Sequence, residues 1–137
     1  MHPSLTAPVV SALTAGVLII AQMALLLTVI GTRRRVRQSL GEAGDPALTR
    51  AVRRHGNFAE NAAIFVVSLA LLEMLGAPRL YVVPAAALFV IGRVLHAIGL
   101  SQTNTVNLWR VAGVFATVLA GLLVGVRLIM LGVTWLR

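Results

Sequence analysis

Four polar residues recur at helical spacing in a largely apolar neighbourhood: Arg50, Arg53, Asn57 and Glu60. At about 100° per residue, steps of three, four and three place all four within a helical sector of about 80°. Arg54 and Asn61 flank the stripe. Two guanidiniums, an amide and a carboxylate on one face suit a ligand carrying both carboxylates and an amine. Arginine grips carboxylates bidentately, and glutamate accepts from ammonium. The same residues also admit a reading without a ligand. Arg50 and Arg53 then sit at headgroup level, Asn57 and Glu60 bond helices together, and Glu60 pairs with an arginine such as Arg93.

A second set lies further along. Arg93 and His96 are three residues apart and share a helical face, with Gly92 and Gly99 beside them to allow close helix approach. A hydrogen-bonded packing role for His96 competes with a ligand contact. Glu73 falls near the end of the same apolar run as Glu60 and is expected to reach the membrane interface. The three histidines, at 2, 55 and 96, have no carboxylate pair beside them, so no metal set is expected. There is no phosphate-cradling glycine loop and no credible serine triad. With no cysteine, a thiolate metal site or cysteine nucleophile is impossible.

These residues must be positioned by membrane-spanning helices. Of the 137 residues, 58% are apolar and 12% charged, whereas soluble domains carry about 25% charged residues. A span needs about 20 mostly apolar residues, and such stretches fit four times, over about 7–31, 47–75, 80–100 and 107–135. The expected fold is an all-α membrane protein, a single four-helix transmembrane domain over 1–137. The first stretch reads as a retained span, because residues 1–8 hold no Lys or Arg and the basic cluster follows the apolar run. Asp45-Pro46 suits a helix start. Pro84 lies near the start of span three, where proline is best tolerated. Trp109 and Trp135 are expected to anchor opposite ends of span four at the interfaces.

The net charge of +8 comes from arginine, with no lysine. A basic excess is also seen in nucleic-acid binders, but in a chain of spans it sets topology, so no nucleic-acid partner is expected. Arg33, Arg34, Arg35, Arg37, Arg50, Arg53, Arg54 and Arg110 fall on one side of the membrane; Arg79, Arg127 and Arg137 fall on the other. The positive-inside rule makes the first side cytoplasmic and leaves both termini outside.

The segment Arg50-Ala51-Val52-Arg53-Arg54-His55-Gly56-Asn57-Phe58-Ala59-Glu60 resembles the second-helix signature of MAPEG, the membrane-associated proteins in eicosanoid and glutathione metabolism. Gly92-Arg93-Val94-Leu95-His96 resembles the family's third-helix motif, and Trp109-Arg110-Val111-Ala112-Gly113 the start of its fourth helix. Their order, the four spans and the basic first loop extend the resemblance over nearly the whole chain. The His-Gly-Asn form is most similar to the uncharacterised bacterial branch, which implies a bacterial inner membrane.

The resemblance implies a homotrimer that binds glutathione, as co-substrate, between subunits at the cytoplasmic side. Members transfer glutathione to lipophilic small molecules, reduce lipid hydroperoxides or isomerise lipid mediators. Carried over, Arg50, Arg53, Asn57 and Glu60 hold the tripeptide, with contacts from His96 and from Arg35, or another arginine of that run, at the end of span one. Arg110 occupies the place of the thiolate-stabilising arginine. A free thiol with a pKa near about 8.5 is mostly protonated at neutral pH, and lowering it by two units takes about 2.7 kcal/mol. One guanidinium in a partly dry site supplies energy of that order, reinforced by the helix N-terminus. The family's tyrosines near helices three and four are missing: the sole tyrosine, Tyr81, is at the other end of span three.

Two other classes compete with the transferase or peroxidase-like reading. In a small proton-coupled multidrug transporter, Glu60 would exchange protons for a cation, although Arg50, Arg53 and Arg93 would ring that site. A non-catalytic membrane scaffold, or a thiol-peptide binder, would need the fold without the turnover.

Overall fold

Asp45 and Pro46 begin a helix for local reasons. The Asp45 carboxylate accepts from the Leu48 amide at 2.7 Å, and proline at the first helical position gives up an N–H that has no partner there. From this start α2 runs Pro46–Met74. Before it lies α1, Val9–Val36; after it come α3, Arg79–Ser101, and α4, Leu108–Trp135. The structure, a computed structural model, describes residues 6–42, 44–102 and 107–136. Every regular element among them is an α-helix, and all four helices are long and apolar enough to cross a membrane. Residues 1–5 ahead of span one, Ala43 in the first loop, 103–106 in the polar segment after span three, and Arg137 lie outside the described residues.

The first helix runs further than its apolar stretch. Hydropathy places the end of span one at Gly31, but α1 continues to Val36, so Arg33, Arg34 and Arg35 are helical. A change from lipid to water does not interrupt backbone hydrogen bonding. Arginine is a good helix former, and cations in a last turn complement the helix dipole. The helix stops at Arg37, whose backbone is left-handed (φ 54°) and whose N–H reaches the carbonyls of Arg33 and Arg34. Arg33 folds over the following loop, donating to the carbonyls of Ser39 (3.2 Å) and Gly41 (2.9 Å).

The inner helices hold the bundle together. α1 packs on α2 and α3, and α4 packs on α3 and α2, while α1 and α4 do not meet among the described residues. Phe65, Leu69 and Leu72 of α2 meet Val82, Ala85 and Phe89 of α3 and Ala120 and Val124 of α4. The Phe65 and Phe89 rings stack 3.7 Å apart, 5° from parallel. Leu13, Ile20 and Leu27 of α1 and Phe115, Leu122 and Ile129 of α4 face outward, as lipid-facing side chains do. Lipid tails are as apolar as leucine, so close packing and interhelical hydrogen bonds hold such helices together.

One such set of bonds gives Glu73 a role that its sequence position did not show. The residue, in the last turn of α2, is only 4% exposed. Its carboxylate accepts from the Val10 amide (3.0 Å), the Ser11 amide (3.0 Å) and the Ser11 hydroxyl (2.9 Å). The first N–H groups of a helix lack intrahelical acceptors, and Pro8 at the N-cap offers no side-chain bond. Glu73 therefore caps α1 from another helix, and the negative charge suits a helix N-terminus. Thr6 adds a hydroxyl bond to the Glu73 carbonyl. Hydrogen bonds to charged groups are each worth about 1.5–3 kcal/mol, so Glu73→Ala is expected to destabilise the chain by about 2–4 kcal/mol, read as a lowered midpoint of thermal unfolding in detergent. An unchanged midpoint would show that the cap contributes nothing.

Candidate functional site

The arginine-rich end of the bundle, where α1 and α3 finish and α2 and α4 begin, holds the candidate residues. Three glycines make its geometry. A Cβ on Gly113 would lie 2.4 Å from the His96 nitrogen and 2.7 Å from the Gly92 carbonyl oxygen. On Gly99 it would lie 2.6 Å from the Arg110 nitrogen, and on Gly92 2.9 Å from that of Thr117. α3 and α4 therefore meet backbone to backbone here, as small residues permit in membranes. The close approach expected from Gly92 and Gly99 is present, with Gly113 as its counterpart on α4.

This crossing fixes where Arg110 begins. Asn107 caps α4 by accepting from the Arg110 amide at 2.9 Å, and its own amide donates to the Gly99 carbonyl at 2.9 Å. One asparagine thus closes the end of α3 and opens α4. Arg110 is exposed, and this cap holds its backbone at the start of α4.

Behind it lies a buried pair. Arg93 and His96 are 3% and 4% exposed. Sequence spacing offered Glu60 as the Arg93 partner. The hydrogen bond goes instead to the main-chain carbonyl of Asn57, and the guanidinium lies 5.8 Å from the centre of the Phe58 ring. A second Arg93 contact, 3.5 Å long, reaches Nδ1 of His96. Glu60 attracts Arg93 through space, and His96 feels Arg93, Arg110 and Glu60 together. The fold thus brings Glu60, Arg93, His96 and Arg110 within electrostatic reach, and joins Asn57 to them through Arg93.

The remaining candidates stand on the surface of the chain. Arg53 and Glu60 are exposed, and Arg50 and Asn57 half-buried, so the α2 stripe turns largely outward. The Asn57 amide donates to the Arg53 carbonyl at 3.0 Å within its own helix. Arg35, in the last turn of α1, is also exposed. Just beyond Glu60, Asn61, Ile64 and Ser68 of α2 form with Thr117 and Gly121 of α4 a groove of about 150 Å³. Its mixed lining continues the stripe toward the apolar middle of the bundle.

Sequence reasoning passed over two residues that shape this site. Asn107 was legible as an N-cap, an asparagine just ahead of an apolar run. Gly113 figured only as part of the fourth-helix motif, because only the opposing helix reveals how close it must come.

Four apolar helices with a cluster of arginine, histidine and glutamate at one end define a polytopic helical membrane protein. The MAPEG family model matches residues 11–130, and the chain belongs to the MAPEG family. It is 32% identical over 108 residues to the inner membrane protein YecN of Escherichia coli K12, a match covering 79% of this chain and 81% of that protein. The YecN protein of Escherichia coli O6:H1 strain CFT073 matches to the same extent.

Proposed function

We propose that the chain is a membrane-bound glutathione transferase or peroxidase-like enzyme acting on lipophilic electrophiles, in a bacterial inner membrane. The observation that carries this reading is the cluster of Glu60, Arg93, His96 and Arg110 at one end of a MAPEG bundle. The active form is a homotrimer, with the outward-turned stripe of Arg50, Arg53, Asn57 and Glu60 facing a neighbouring subunit. Glutathione binds there as co-substrate. Arg50 and Arg53 take its carboxylates, Glu60 its ammonium and Asn57 its amide groups, while His96 and the neighbour's last turn of α1, at Arg35, complete the contacts. The arginine-rich loops are cytoplasmic and both termini are outside, in keeping with the positive-inside rule.

Arg110 is the thiolate-stabilising residue. The α4 N-terminus adds partial positive charge, and the glycine contacts with α3 hold the backbone of Arg110 in place. As the cysteine thiol of glutathione loses its proton to water, the guanidinium stabilises the sulfur anion. That anion attacks an electrophilic carbon, forming a thioether and displacing a leaving group or adding across an activated double bond. The electrophile arrives from the bilayer along the groove beside Asn61 and Thr117, so it needs no aqueous route.

One observation favours binding without rapid turnover as a second reading. Tyr81 donates to the Leu123 carbonyl at 2.7 Å at the far end of α3, so no phenol stands near Arg110 to share its work.

Binding is tested through α2. Glu60→Gln keeps size and removes charge, and it is expected to weaken glutathione binding about tenfold or more, the worth of one charged hydrogen bond. Isothermal calorimetry in detergent measures it, with Arg53→Gln expected to behave alike. Affinity unaltered in both variants would return these residues to helix packing and headgroup contact.

A further inference from the structure

Arg54 belongs to neither the α2 stripe nor the Arg93 cluster. Its guanidinium leaves α2 and clamps two other helices, donating to the Ser101 hydroxyl of α3 at 2.7 Å and to the Thr28 hydroxyl of α1 at 3.1 Å. Both acceptors are neutral, and Nε is buried with no acceptor among the described residues. A guanidinium carries five N–H donors, so this clamp leaves both donors and charge unanswered among the described residues. Ser101 is the last residue of α3, which puts the charge at the level where that helix ends.

Beneath the guanidinium runs a groove of about 250 Å³. Its floor is apolar, made by Ala21 and Leu25 of α1, Phe58 of α2 and Ala97 of α3, and its exposed rim is Val94 and Ile98. An unsatisfied cation at the top of an apolar trough has the layout of a phospholipid: an anionic head at the boundary and a hydrocarbon tail below. The charge around it is also one-sided. Arg33, Arg34 and Arg35 fill the last turn of α1, about 10 Å beyond Thr28 at 1.5 Å per residue. Such basic clusters beside a membrane favour anionic over zwitterionic lipid.

We propose that this groove holds one anionic phospholipid, its phosphate on Arg54 and an acyl chain along the floor between α1 and α3. The phosphate accepts from the remaining N–H groups of the two terminal nitrogens, while the two hydroxyls keep the fork oriented. The lipid thereby joins three helices at the arginine-rich end. The site is separate from the proposed glutathione site and does not depend on it.

The test incubates the detergent-purified chain with equimolar phosphatidylglycerol and phosphatidylcholine of matched acyl chains, then counts retained lipid by native mass spectrometry. The expected result is one phosphatidylglycerol per chain, preferred about fivefold over phosphatidylcholine. Arg54→Gln is expected to remove that preference. Ala97→Phe leaves the charge and fills the floor, and it is expected to abolish retention of both lipids; it decides the matter if circular dichroism finds Arg54→Gln unfolded. Retention unchanged in either folded variant would overturn the proposal. So would a wild-type chain that retains no lipid because a second copy covers the groove, or displacement of the lipid by millimolar inorganic phosphate, the mark of a site for the free anion.

Discussion

Replacing Arg110 by alanine is expected to lower the thiolate-to-thiol ratio of bound glutathione by about a hundredfold, because two units of thiol pKa correspond to about 2.7 kcal/mol. The fold should survive. The Arg110 side chain is exposed, and the helix cap it takes part in uses its backbone amide and the Asn107 side chain, both of which remain in alanine. Conjugation should fall with the thiolate, while binding, held by Arg50, Arg53, Asn57 and Glu60, should change much less. Arg110→Lys keeps a point charge without the planar fork and is expected to recover part of the rate. Rates of conjugation and the ultraviolet absorbance of the thiolate, followed in the same samples, check both variants. A rate unchanged in Arg110→Ala would remove Arg110 from the chemistry and leave the cluster a structural one.

A comparable loss is expected from a residue that touches no ligand. In Gly113→Ala the added carbon would lie 2.4 Å from the His96 nitrogen and 2.7 Å from the Gly92 oxygen. Both are backbone atoms and cannot swing aside, so α3 and α4 must separate. Overpacking of this kind typically costs about 1–3 kcal/mol, occasionally more, and displacement of a reacting group by about 1 Å can cost a hundredfold in rate. Gly113→Ala should therefore lower the thermal midpoint and cut turnover about a hundredfold in whatever remains folded. Gly132→Ala is the matching control, for nothing lies within 4 Å of a carbon placed there. It should be neutral or raise stability by up to about 1 kcal/mol, the helical preference of alanine over glycine. Equal behaviour of the two variants would mean that the tight crossing does not position Arg110.

What could be read beforehand divides along one physical line. The four spans, the start at Asp45-Pro46 and the small-residue faces of Gly92 and Gly99 depend on hydropathy, local capping and side-chain size, all written in neighbouring residues. Which helical faces meet is not written there. Helical spacing puts Arg93 and His96 on one face, but that Arg93 reaches the Asn57 carbonyl follows from how α2 lies on α3. The capping role of Glu73 was hidden for the same reason, because only the packing of α1 brings the amides of Val10 and Ser11 to it. The end of α1 is a different case: hydropathy marks where the apolar run ends, and the helix runs on through Arg33, Arg34 and Arg35 because arginine continues a helix readily. The candidate site was legible as residue types on two faces, and its assembly around a glycine crossing was not.

The most direct test of the central claim is a titration of glutathione into the detergent-purified wild-type chain near neutral pH, following thiolate absorbance and binding heat together. The expected result is saturable binding with a thiolate signal that rises in proportion to occupancy. Saturable binding with no thiolate signal would contradict the role given to Arg110, and no binding at millimolar glutathione would contradict the proposed function as a whole.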